Sequence, residues 1–216
     1  DANELTQMQN NAHGSTYTYT YDAMGRTTEK VLGGKTAEYV WRYDAKLHTV
    51  TSDHFDEGNV IYDYGADGKR RGRSAGIFSK KYNWNAAWNV VSETNDHVLQ
   101  DTLIEKPGNV AGILAKISGT DPSSGQETYY LRDHRNSTRG KYDASKQETG
   151  HYVESPYGEP ERDSHVRHGY SGKDWDEQAK FHFFPYRHYS AGNGRWISRD
   201  PIGSLGGLNL YSYSNS

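Results

Sequence analysis

Between Ser15 and Tyr21 the chain reads STYTYTY, so an aromatic ring falls on every second residue. That period of two predicts a β-strand with Tyr17, Tyr19 and Tyr21 on one face. The four residues Asp22–Gly25, DAMG, are a turn signal, and Arg26–Val31 can return as the partner strand. The unit recurs. YVWRYDAKLHTVTS carries Tyr43-Asp44, 22 residues after Tyr21-Asp22. VIYDYGADGKRRGRS brings Tyr64-Gly65 into the same place 21 residues further on, and KKYNWNAAWNVVSE brings Trp84-Asn85 after another 20. A hairpin repeated every 20–22 residues predicts a sheet that grows by repetition.

The pattern then loosens. Leu99–Gly125 contains a Pro-Gly turn and an aliphatic run, Val110–Ile117, that fits a strand pair better than a helix because of its glycines. From Thr128 short strands return, in TYYLRDHRNSTRGKYD, ETGHYVESPYGEP and KFHFFPYRHYS. Turns are expected at Asp143–Ser145 and Pro156–Gly158, and a closing buried strand at Leu208–Tyr213. No long amphipathic helix is predicted, and the chain reads as all-β.

Composition alone points toward disorder: mean hydropathy is −1.02, with 33% hydrophobic residues. The 18 Tyr, 5 Trp and 5 Phe reverse that reading, because aromatic rings pack on strands while a tyrosine hydroxyl stays wet. A net charge of −3 gives no field that would attract nucleic acid. With no cysteine, disulfides and thiolate metal sites are excluded. No apolar run reaches the ~18 residues of a membrane span. The start, DANELTQ, reads as part of a longer or processed chain.

Several stretches resemble a known family. YTYDAMGR resembles the Tyr-Asp repeat of Rhs (YD-repeat) proteins. YYLRDHRNSTRGKYDASKQ, SPYGEP and the long C-terminal stretch from YSGKDWDEQAK to GRWISRDPIGSLGGLNLYSYSN resemble the Rhs repeat-associated core domain, in family order. On this resemblance residues 1–98 are degenerate repeats, 99–127 a connecting β segment and 128–216 the core domain. Related proteins include toxin-complex C proteins and, more distantly, teneurins. The resemblance implies repeated hairpins forming part of a hollow, spiralling β-shell with a C-terminal plug. It implies a secreted or cell-surface parent and an enclosed toxin or effector further along the same chain. That cargo is released by self-cleavage. The implied partners are this cargo, the preceding repeats and a secretion or toxin-complex partner.

The same resemblance aligns Asp176 of GKDWDEQ and Asp200 of SRDPIG, 24 residues apart, with an aspartyl-protease pair. Two close carboxylates cannot both ionise cheaply, so one can activate water while the other protonates the leaving group. Asp174 competes with Asp176 for the first place. Arg167, or alternatively Arg162, is the expected arginine of the site. Gly172, Pro201 and Gly203 would shape its loops. The structural alternatives are ordinary: Asp-Pro-x-Gly opens turns, and Asp176 lies in an acidic loop. His165, His168, His182 and His188 lack metal-ligand spacing and read as packing residues. GKRRGR at Gly68–Arg73 reads as a solvated basic loop. No cofactor or metal is expected. Against the autoprotease stands a non-catalytic structural or adhesive YD-repeat module, and, more remotely, a glycan-binding aromatic surface.

Overall fold

The computed structural model describes residues 3–10, 14–53, 58–106, 108, 112–161 and 167–214. Fourteen strands form one antiparallel meander in which each strand pairs with the next. They are β1 (Gln7–Asn10), β2 (Ser15–Tyr21), β3 (Thr27–Leu32), β4 (Lys35–Trp41), β5 (Leu47–Ser52), β6 (Val60–Tyr64) and β7 (Arg70–Ala75). They continue as β8 (Phe78–Trp84), β9 (Val90–Asn95), β10 (Val98–Glu105), β11 (Ile113–Ser118), β12 (Gln126–Arg132), β13 (Thr138–Tyr142) and β14 (Glu148–His151). The sheet is open, with β1 and β14 at its edges. We refer to it as the wall. A second sheet contains β15 (Asp174–Asp176), β16 (Phe181–Phe183), β17 (His188–Ser190) and β18 (Arg195–Trp196). The fold is all-β, as expected.

One turn recurs at the repeat units. Its first residue donates its amide to the carbonyl four residues on, and accepts from the amide three residues on. Asp22 and Arg26 are joined this way at 3.0 Å, Gly65 and Lys69 at 2.9 Å, and Asn85 and Asn89 at 2.9 Å. The fourth turn residue is left-handed each time: Gly25 at φ 70°, Ala45 at 60°, Gly68 at 75° and Trp88 at 61°. This is a type I turn closed by a bulge.

The second unit corrects the sequence register. Its turn opens on Arg42, whose amide reaches the Lys46 carbonyl at 2.8 Å. Trp41 therefore ends β4, and Tyr43 and Asp44 lie inside the turn, with Tyr43 93% exposed. The cause is the half-buried indole, which finds a backbone partner. Trp41 Nε1 donates to the Thr27 carbonyl at 2.7 Å, as Trp84 Nε1 donates to the Arg70 carbonyl at 2.6 Å.

The bulge has a further effect. In a regular strand, residues three apart face opposite sides. Here the register shifts between Asp63 and Tyr64, so Arg70 lies opposite Tyr64 and Arg73 opposite Tyr62. Both arginines then share the face of these tyrosines. The other units repeat the arrangement: Lys30 lies opposite Tyr19, Val50 opposite Tyr39 and Glu93 opposite Tyr82. Tyr19, Tyr39, Tyr62 and Tyr82 are all buried. Each repeat thus presents one buried tyrosine and one variable residue on the same inner face.

The second sheet packs on that face. Phe181, Phe183, Ala179 and Ile197 join Tyr39, Leu47, Val50, Val60, Tyr62, Tyr64 and Ala75 in one core. Burying each phenylalanine contributes about 1.5–3 kcal/mol. A second core of Tyr170, Trp175, Tyr189, Ala191 and Trp196, with Phe184 and Tyr213 against it, is nearly all aromatic. We call residues 167–214 the plug. Backbone bonds join it to the wall, from the Thr27 amide to the Ile197 carbonyl at 2.9 Å and from the Thr138 amide to the Gly169 carbonyl at 3.0 Å. The closing strand expected at Leu208–Tyr213 does not form. Leu208 is 91% exposed, and the segment turns so that only Tyr211 is fully buried, its hydroxyl on the Gly25 carbonyl at 2.7 Å.

Candidate functional site

Strand β15 is the sequence Asp174-Trp175-Asp176. Alternation turns Trp175 toward the aromatic core and both acids toward the wall. Asp176 meets Arg73 and Tyr62. Its Oδ2 accepts from Tyr62 Oη at 2.7 Å and from Arg73 Nε at 2.7 Å, and its Oδ1 accepts from Arg73 Nη2 at 2.8 Å. The amides of Gln178 and Ala179 add bonds to Oδ1 at 3.2 and 3.1 Å. Burial pushes the Asp176 pKa up, but the bonds and charge of Arg73, with help from Tyr62 and Ala179, outweigh it. The carboxyl lies below its usual range. Five donors fill its acceptor sites, and the bidentate fork fixes its plane.

Asp174 lies two residues back and forms a separate pair of contacts, accepting from Arg70 and from Arg167 Nε. Arg167 also binds Glu93, which takes Lys80 at 3.4 Å. The Arg70 guanidinium, from a side chain only 1% exposed, lies 3.9 Å from the Phe183 ring centre and 4.5 Å from that of Tyr82. Burial opposes ionisation of Asp174, yet the charges of Arg167 and Arg70 hold it far below the carboxylate range. Burial also opposes ionisation of Glu93, and Arg167 and Lys80 overcome it.

Asp200 lies after β18. It opens the Asp-Pro turn, its carbonyl accepting from the Gly203 amide at 2.9 Å, and Gly203 is left-handed at φ 62°. Its carboxylate pairs with Arg187 at 2.8 Å and accepts from the Ile202 amide at 3.0 Å. Strands β15 and β18 are the outer strands of the four-stranded sheet. They are separated by three strand spacings, about 14 Å.

The structure therefore joins Arg167 to Asp174 and places both beside Asp176, on a cavity of about 790 Å³ between wall and plug. Among the described residues no hydrogen bond or ion pair joins Asp176 to Asp200, and Asp200 does not line that cavity. Arg162 and His165 lie outside the described residues. His182 and His188 pack as ring neighbours of Trp175, Tyr170, Tyr62 and Phe183, and His182 Nε2 meets the Gly158 carbonyl at 2.7 Å. The basic stretch read as a solvated loop is corrected. Arg70–Arg73 belong to β7, and Arg70 and Arg73 are the wall residues that bind the two plug acids. The bulge is the signal that places them, and a strict period of two conceals it.

No family model matches the chain. Toxin subunit YenC1 of Yersinia entomophaga is 43% identical over 44 residues, which covers 20% of this chain and 4% of that protein. Three solved structures each align with 92% of this chain. The TcdB2–TccC3 crystal structure does so with a TM-score of 0.61, 21% identity and 13% of its own chain covered. The TcdB2–TccC3–Cdc42 structure gives 0.60, 20% and 13%. The Photorhabdus luminescens Tc holotoxin pore gives 0.59, 19% and 12%. The fold is thus that of a stretch of these toxin-complex β-shell chains, and the present chain spans a small part of their length.

Proposed function

We propose that this chain, Rhs- and toxin-complex C-like in fold, forms the last stretch of wall and the inner plug of a β-shell. The shell would be completed by preceding repeats and would enclose a toxin or effector segment of the same polypeptide. A secretion or toxin-complex partner would carry the whole to a secreted or surface location. The observation that carries this reading is the plug itself. The four repeat units of the fourteen-stranded wall present buried tyrosines on one face, and the plug is fixed to that face by buried ion pairs. The finer part of the proposal is release of the cargo by one intramolecular cut, with Asp176 and Asp200 as the acid pair and Arg167 beside them. Water adds across the peptide bond: its oxygen goes to the carbonyl carbon and a proton goes to the leaving nitrogen. What supports this is the sequence match of both acids and the cavity beside Asp176 and Arg167.

A second reading, a non-catalytic shell module, is favoured by a specific observation. Asp176 has a full set of donors, and Asp200 is held by a different arginine. Intact-mass analysis of a longer chain carrying this sequence decides between the two. The cleavage reading expects a discrete break that Asp176→Asn and Asp200→Asn each abolish, while the module reading expects one unbroken chain. A break unaffected by both substitutions removes the acid pair from consideration.

A further inference from the structure

The inner residue opposite each repeat tyrosine has a defined task in three of four units. Val50 packs in the core, Arg73 binds Asp176, and Glu93 binds Arg167. Lys30 holds the same place opposite Tyr19, and among the described residues it has no ion-pair partner. Its ammonium lies 4.6 Å from the Tyr17 ring centre and lines the 790 Å³ cavity. Burial lowers its pKa against a weak opposing pull from Glu159. Such a charge, held in a partly dry site, attracts an anion strongly.

The other charges on the cavity sharpen the contrast. Asp176 is neutralised by Arg73, Asp174 by Arg167 and Glu177 by Lys180. Lys35 also lines the cavity without an ion-pair partner among the described residues, and Lys80 shares Glu93 with Arg167. Among the described residues Glu159 is the one lining acid without an ion pair, and its charge acts on Lys30. The cavity lining is therefore net positive, although the chain carries −3.

We infer that this cavity binds an acidic, extended peptide segment, with Lys30 and Lys35 as the groups that take its carboxylates. The inference rests on the reading of the tyrosine face as the inner, cargo-facing side of a shell, and it is independent of any cleavage. Tyr17, half-buried on the cavity lining, offers ring surface for the stem of such a segment.

The test is calorimetric titration of the 216-residue chain with hexaglutamate, hexalysine and a Gly-Ser hexapeptide at low salt. Hexaglutamate alone is expected to bind, and its affinity should fall as salt approaches ~0.15 M. Lys30→Gln combined with Lys35→Gln should weaken binding about tenfold or more, whereas Lys30→Arg combined with Lys35→Arg should retain it. Absence of hexaglutamate binding, or equal affinity for the Gln and Arg variants, overturns the inference. Either result leaves the cleavage question untouched, because that question is answered by mass analysis of the longer chain.

Discussion

Replacing Arg73 by leucine removes the guanidinium that holds Asp176 while keeping an apolar side chain in its place. Asp176 then retains the Tyr62 hydroxyl and the Gln178 and Ala179 amides, but its charge has no counter-ion within bonding distance. The Asp176 side chain is 2% exposed and that of Arg73 18%, so solvent screens the pair little. Breaking a buried pair costs about 3–5 kcal/mol, and the three surviving bonds place the expected loss near ~3 kcal/mol. The pH dependence adds a sign. In the wild type the Asp176 pKa is depressed, so its contribution is present above the unfolded value of ~3.9 and is lost as pH falls through the folded value. In the variant, burial acts without Arg73 and the pKa rises, so acidification neutralises the stranded charge. The gap between variant and wild type should therefore be widest at pH ~7 and shrink toward pH ~4. Urea unfolding of wild type, Arg73→Leu, Asp176→Asn and the double variant supplies both the cost and the coupling energy. A cost below about 1 kcal/mol, or a gap that does not narrow on acidification, would refute the assignment of Arg73 as the residue that fixes the plug acid.

Further outcomes follow from the same contacts. Tyr62→Phe removes one hydrogen bond to a charged, buried carboxylate and should cost about 1.5–3 kcal/mol in the same unfolding assay. His182 and His188 have pKa values lowered by burial to about 4 and about 3, so both fold as neutral rings. The unfolded chain takes up these protons first, and stability should fall as pH drops below ~6.5. His188→Phe should flatten that slope by about one proton in melts recorded between pH 7 and 4. Gly158→Ala should cost well over 1 kcal/mol, because Gly158 is left-handed at φ 87° and a Cβ there would lie 2.3 Å from the Tyr170 ring. Ala45→Gly should instead stabilise by about 0.5–1 kcal/mol, since Ala45 is left-handed in an open turn position.

The strands were legible because alternation of tyrosine and threonine is a local signal. The turn of the second repeat was misplaced by two residues because Trp41-Arg42 and Tyr43-Asp44 each offer an aromatic followed by a polar residue. The indole bond that decides between them reaches across to Thr27, fourteen positions away, and is not written in the local pattern. The C-terminal turns at Asp143, Ser155 and Asp200 were legible from Asp, Ser, Pro and Gly chemistry. The charged network was not. Its acids lie near residue 175 and its arginines on β7 about a hundred positions earlier, joined by a bulge that places two residues three apart on one face. The resemblance implied Arg167, or alternatively Arg162, as the arginine of the site, and Arg167 binds Asp174 and Glu93. Leu208 and Leu210 suggested a buried strand, but the aromatic core of the plug is already filled from Tyr170 to Tyr213, and Leu208 stays outside.

The account depends most on one placement: the plug on the tyrosine-lined inner face of a wall that continues through further repeats. A single-particle reconstruction of a longer chain carrying this sequence tests it directly. The account predicts density for β1–β14 as consecutive strands of a closed wall, with β15–β18 inside it and Arg73 against Asp176. A map in which this tyrosine face looks outward, or in which residues 167–214 lie away from β6–β8, would contradict it.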